Sequence, residues 1–338
     1  MSERKKLEIL QAVRGIAAIG IVYFHTEYGP WKSANWGVDF FFLLSGFLAM
    51  LSTRLGGGQR RFWFSRITKI CPLYYIMTAV VIALYQIVPN VFRTTIVTTE
   101  TILKSVLFIP CYASNGKIYP VYSVAWTLTL EMFFYVIFSL CMKINHKKRG
   151  ELAVCTLAGL TALGKIATFE SAVLTFWTDK HMLEFAIGIV IYLAYEKGVC
   201  PDRKRFSVFL IAMEIIMLFS GKYILGDHLT IFTWNMLWGT CLLVTSLAYG
   251  NGKCNKFLVM LGNISYSMYM IHFLLVGLVV RIMIDNQVYS MKNTLLVILT
   301  ILTVIPISYG VYRVMEVYLP EKIKYIFVQK NAKNSELH

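Results

Sequence analysis

Two ionisable residues stand inside an apolar stretch near the N-terminus. Residues 7–25 read LEILQAVRGIAAIGIVYFH, with Arg14 inside the run and His25 at its far end. Their separation is eleven residues, which puts both side chains on one face of a helix, about 16 Å apart along its axis. An ionisable group within a membrane span costs about 2.5–3.5 kcal/mol on insertion scales and usually faces a protein interior or a water-filled cavity. There, a neutral imidazole can take a proton from a hydroxyl near neutral pH. A guanidinium can hold a phosphate or polarise a carbonyl. The plainer alternative has Arg14 snorkelling to the cytoplasmic surface and His25 at the interface.

Other polar residues interrupt apolar runs. Asp39 opens the second run at about the depth of His25, where it could orient the imidazole or cap the span's N-terminus. Ser45-Gly46 follows without the G-x-S-x-G of a nucleophile elbow, and close helix packing is the expected role of the pair. Arg66 and Lys69 are three apart, hence on one helical face where the third run enters from the cytoplasm. Paired cations there suit a phosphate-rich cytosolic ligand, although basic residues at a cytoplasmic span end are also ordinary. Glu131 lies about nine residues into the fourth run, where a carboxylate needs a buried cation such as Arg14 or Arg66, or a proton. That pairing would serve a scaffold as readily as chemistry. His272 is a second histidine at depth, for packing or for catalysis. The seven cysteines are scattered with no CxxC, so no disulfide framework, zinc site or other metal is expected.

The elements that must carry these residues are membrane helices. The chain is 57% apolar and 15% charged, with mean hydropathy +0.61, the composition of a multi-pass membrane protein. The net charge of +15 lies in short loops between apolar runs, not on one continuous basic face, which argues against nucleic acid. Ten runs are expected to span: 8–26, 37–53, 70–89, 122–142, 151–168, 181–196, 206–222, 230–249, 264–284 and 294–318. Segment 97–109 is too short and reads as an outer loop or re-entrant piece. With the N-terminus inside, 22 Lys and Arg fall on the inner side and nine on the outer, which favours both termini in the cytoplasm. The first run carries Arg14 and lacks a small-residue cleavage site, so it is read as a retained span. The expected architecture is an all-α integral membrane protein. One bundle of about ten transmembrane helices occupies 1–320, with a basic cytoplasmic tail at 321–338. No internal repeat of the transporter kind is visible.

Five ordered motifs together resemble the membrane acyltransferase family 3, which includes bacterial O-acetyltransferases of lipopolysaccharide and exopolysaccharide. They are Leu10-Gln11-Ala12-Val13-Arg14-Gly15-Ile16-Ala17-Ala18 with His25, and Gly37-Val38-Asp39-Phe40-Phe41-Phe42 with Leu44-Ser45-Gly46-Phe47. Then come Arg66-x-x-Lys69-Ile70-x-Pro72-Leu73-Tyr74, Trp126-x-Leu128-x-x-Glu131-x-x-x-Tyr135, and Leu261-Gly262-x-Ile264-Ser265-Tyr266-Ser267-x-Tyr269-x-Ile271-His272. The resemblance covers nearly the whole chain and implies a ten-span bundle in the bacterial cytoplasmic membrane. It further implies transfer of an acyl group, most often acetyl, from cytoplasmic acetyl-CoA to a hydroxyl of a cell-surface glycan or its lipid-linked precursor.

By the resemblance, His25 matches the essential histidine, Arg14 the first-span arginine, Arg66 the first arginine of an R-x-x-R motif and Glu131 the fourth-span glutamate. Lys69 departs from that motif, keeping the charge and losing bidentate geometry. The hydrolase-like periplasmic domain that some members carry is not expected. The roles follow from physical need: His25 as general base, Asp39 orienting it, Arg14 on the CoA or the thioester carbonyl, and Arg66 with Lys69 on the CoA phosphates. A transporter or flippase for a lipid-linked or acidic solute, or an accessory subunit of an export complex, are the rival readings.

Overall fold

The computed structural model of the chain describes residues 2–26, 36–56, 58–92, 94–199, 231–248, 254–285, 293–323 and 325. The expected span 206–222 and residues 326–338 of the expected tail lie outside them. Among the described residues the regular structure is helical, with one isolated bridge between Tyr112 and Ile118. The helices are α1 (Ser2–His25), α2 (Trp36–Thr53), α3 (Gly58–Ile87), α4 (Thr99–Val106), α5 (Trp126–Ile144), α6 (Arg149–Ile166), α7 (Ala172–Trp177), α8 (Met182–Glu196), α9 (Ile231–Ala248), α10 (Lys256–Asn263), α11 (Ser265–Asp285) and α12 (Asn293–Tyr312). The last continues through a π-helical stretch, Arg313–Tyr318.

Five of these helices are long and apolar enough to cross a membrane, or six if α10 and α11, bent by 68°, are one broken span. Ten spans were expected from hydropathy. Among the other runs, that at 181–196 forms α8 with only 15 residues, against the ~20 that a straight crossing needs. The run at 97–109 yields the eight-residue α4, in keeping with its reading as a non-spanning piece.

The third helix starts at Gly58, so most of the expected inner loop 54–69 is helical. The reason lies in what residues 59–71 pack against. Phe62 is buried, with its ring 5.5 Å from that of Tyr135 and 5.6 Å from that of Phe138. Gln59 Nε2 donates to the Ser139 carbonyl at 2.7 Å, and Trp63 Nε1 to Ser139 Oγ at 2.9 Å. The helix thus docks on α5 before it enters the apolar layer. Arg66 and Lys69 are thereby held by a rigid element, not by a loop.

Small residues let the central helices touch backbone to backbone. The α2 and α8 helices run side by side, and a Cβ on Gly188 would land inside the van der Waals shell of the Leu43 carbonyl oxygen. Gly46 meets the Phe185 carbonyl in the same way, as expected for the Ser45-Gly46 pair. The helix pair α1 and α10 repeats the device, with Gly262 against the Gln11 backbone. That contact brings the bend at Ile264 against α1 and turns Ser265, Tyr266 and Tyr269 toward Arg14.

Candidate active site

A cavity of about 110 Å³ lies among α1, α2, α3, α5 and α11. Its polar lining includes Arg14, Ser45, Arg66, Lys69, Glu131 and Tyr266. Four of the six residues singled out from sequence therefore meet in one place, although they come from three separate helices.

The cations are held lightly by the protein. Arg14 donates one bond, from Nη1 to Gln11 Oε1 at 2.8 Å, and its guanidinium stands 5.9 Å from the Phe41 ring centroid. Arg66 donates from Nη2 to Ser52 Oγ at 3.1 Å and lies 5.0 Å from the Tyr135 ring and 5.3 Å from Phe62. The Nε of each is buried without a hydrogen-bond partner. Glu131 was expected to pair with a buried cation such as Arg14 or Arg66, or to carry a proton. Its Oε1 instead accepts from Ser45 Oγ at 2.5 Å and from Tyr135 Oη at 2.6 Å. Neither arginine makes a direct ion pair with it among the described residues; its charge acts on Arg14 across the cavity.

A second carboxylate acting on Arg14 is that of Glu316, in the π-helical stretch that ends α12. Glu316 Oε1 accepts from the Ser267 backbone N–H at 3.1 Å and from Ser267 Oγ at 2.6 Å. It was not singled out from sequence. The signal that marked Glu131, an acid inside an apolar run, was equally present at Glu316.

His25 is not on that lining. It sits half-buried in the last turn of α1, with Nδ1 3.2 Å from the Ile21 carbonyl oxygen. Its ring stands edge-on to His272, with centroids 4.8 Å apart and planes at 88°. His272 is fully buried; its Nδ1 donates to the Tyr269 carbonyl at 2.6 Å, and its Nε2 has no hydrogen-bond partner. Tyr269 lines the cavity, with its hydroxyl 2.8 Å from Thr127 Oγ1. The second histidine is thus a neighbour of the first and is tied to the cavity wall.

An acyltransferase domain model matches residues 7–313. The chain belongs to acyltransferase family 3. It is similar to the exopolysaccharide production protein ExoZ of Rhizobium meliloti (strain 1021), at 29% identity over 253 residues, covering 72% of this chain and 77% of ExoZ. It is similar also to the peptidoglycan O-acetyltransferase OatA of Listeria monocytogenes, at 32% identity over 85 residues, 23% of this chain and 14% of OatA. No solved structure matches the chain. This acyltransferase carries Arg14, Arg66, Lys69 and Glu131 on three helices around one cavity.

Asp39 was expected either to orient His25, from a similar depth in the neighbouring span, or to cap the N-terminus of its own span. In the acyltransferase it is buried in the first turn of α2, and the groups acting on it are Glu184 and His181. The close contact between α2 and α8 fixes this, since the two helices start together and set Asp39 against the first turn of α8. In the turn before α8, His181 Nδ1 pairs with Asp179. Burial works to raise the Asp179 carboxyl, but the hydrogen bond and charge of His181 more than offset it and leave it below its usual range. Sequence reading passed over Glu184 and His181, which sit at the start of an apolar run.

Proposed function

We propose that the chain is an O-acyltransferase that moves an acyl group, acetyl in the first instance, from cytoplasmic acyl-CoA to a hydroxyl of a cell-surface polysaccharide or its lipid-linked precursor. The observation that carries this reading is the cavity. Arg14, Arg66 and Lys69 line it together, and two guanidinium nitrogens are buried there without partners. Clustered, weakly engaged cations are suited to the phosphates and thioester carbonyl of a CoA. The similarity to ExoZ and OatA supports a glycan acceptor.

Roles follow from placement. Arg66 and Lys69, on the helix that enters from the inner side, grip phosphate. Arg14, a turn or two further into the bilayer, faces the thioester end. His25, at the outer end of α1, takes the proton of the acceptor hydroxyl, with His272 in place of Asp39 as the group that sets its ring. Glu131, bonded by Ser45 and Tyr135, positions the wall opposite the arginines and gives the cations a counter-charge. The chain is read as a ten-span protein of the bacterial cytoplasmic membrane with a basic tail after residue 320, and the asymmetry of Lys and Arg favours both termini inside.

The test is transfer of labelled acetyl from acetyl-CoA into the polysaccharide fraction, comparing the wild type with His25→Ala at matched membrane levels. Label that enters glycan in the wild type and is lost in the variant is the expected result. Equal label in both removes His25 as the base.

A further inference from the structure

Away from the cavity, the first turns of α2 and α8 bring together Asp39, His181 and Glu184. One ligand atom from each lies within 4.8 Å of the others. Glu184 is fully buried, and neither carboxylate oxygen has a hydrogen-bond partner. An uncompensated carboxylate in that position is strongly destabilising. Either a cation between these groups or a proton shared with the neighbouring Asp39 carboxyl would offset that cost.

The imidazole is already arranged for a ligand. Asp179 engages His181 Nδ1 and also accepts from the His181 backbone N–H at 2.9 Å. In the neutral tautomer with Nδ1 donating to that carboxylate, Nε2 would present its lone pair, the arrangement in which an outer carboxylate orients a metal-bound histidine. Aromatic rings wall the imidazole: Trp126 at 5.4 Å, Phe42 at 5.7 Å and Phe232 at 5.2 Å between centroids.

We propose that Asp39, His181 and Glu184 form a binding site for a divalent cation at the shared N-terminal end of α2 and α8. One imidazole nitrogen and two carboxylates are the donor set of zinc and its first-row neighbours, not of magnesium or calcium. The ion ties the 178–181 turn to α2. Through His181 it fixes Phe42 and Trp126, and Phe42 is part of the cavity wall. Sequence reading did not find the site because His181 and Glu184, three apart, lie far along the chain from Asp39.

The test uses the full-length protein in detergent, stripped with EDTA, dialysed against Zn²⁺ and measured by elemental analysis. Wild type is expected to retain about one zinc per chain and to gain thermal stability on loading. Glu184→Gln, which keeps the shape and removes the charge, is expected to retain less than about a tenth of that. Asp179→Asn is expected to weaken zinc binding by about 10–100-fold. A wild type that keeps no zinc overturns the proposal, and a Glu184→Gln protein that is then more heat-stable identifies a proton shared by Asp39 and Glu184 as the occupant. Full zinc retention in both Glu184→Gln and His181→Ala also overturns it. The readout is stoichiometry, so the outcome stands whatever the acyl acceptor proves to be.

Discussion

Replacing Arg66 by alanine should separate donor binding from folding. Within the protein the guanidinium makes one hydrogen bond, to Ser52, and stands over the rings of Phe62 and Tyr135. Cation–π contacts of this kind contribute about 0.5–1 kcal/mol at exposed sites, and one modest hydrogen bond adds about 1 kcal/mol. The loss of stability should therefore stay near 2 kcal/mol, and the variant should still accumulate in membranes. A charge-assisted contact to phosphate is stronger, and its loss costs about 2–3 kcal/mol of binding. That corresponds to a roughly 30- to 160-fold higher KM for acetyl-CoA, with kcat little changed because the phosphate is held alike in ground and transition states. The assay compares acetyl-CoA with acetyl-pantetheine, which has no phosphate. The variant should be impaired with the first donor and nearly equal to wild type with the second. If Arg66→Ala lowers activity by the same factor with both donors, Arg66 does not hold phosphate and the assignment of the inner end of the cavity is wrong.

Other perturbations probe the same frame. Gly188→Ala places a Cβ against the Leu43 carbonyl, and should lower the unfolding temperature in detergent steeply or abolish accumulation. Gly159→Ala, with nothing within 4 Å of its added Cβ, should behave as wild type or slightly better, by up to about 1 kcal/mol. Ser45→Ala and Tyr135→Phe each remove one donor from Glu131 Oε1. Each should cost about 1–3 kcal/mol, and a double-mutant cycle on thermal stability should show them coupled, not additive. His272→Ala should lower kcat by about 10–100-fold with the donor KM unchanged, measured as initial rates of label transfer. Unchanged kcat would return His272 to packing.

Much of the site was legible in sequence because a charge inside an apolar run is costly and needs a reason. That rule found Arg14, Arg66, Lys69 and Glu131, and all four line the cavity. Applied as strictly to the later runs, it would also have found Glu184 and Glu316. What sequence could not supply was which polar groups face each other. Asp39 and His25 matched in depth, yet depth leaves rotation about the helix axis open. The contact of Gly188 with the Leu43 carbonyl determines that Asp39 turns to α8. The length of α3 was missed for a related reason, since a basic, aromatic stretch reads as a loop until Ser139 and Phe138 are seen to receive it.

The scaffold and catalytic readings of the buried charges now separate on geometry. A pair kept for stability closes into contact and satisfies its remaining polar atoms, because an open one leaves the desolvation cost uncompensated. Here Glu131 is satisfied by two hydroxyls, Glu316 by Ser267, and the nearby guanidinium nitrogens are left over. Both carboxylates are hydrogen-bonded by neutral groups, and neither forms an ion pair with the arginines among the described residues. An anion entering the cavity would meet cations not yet bound to a carboxylate. The arrangement sacrifices stability in the empty protein and returns it only when a ligand with phosphate or a developing oxyanion is bound, which is the condition under which an acyltransferase gains from it.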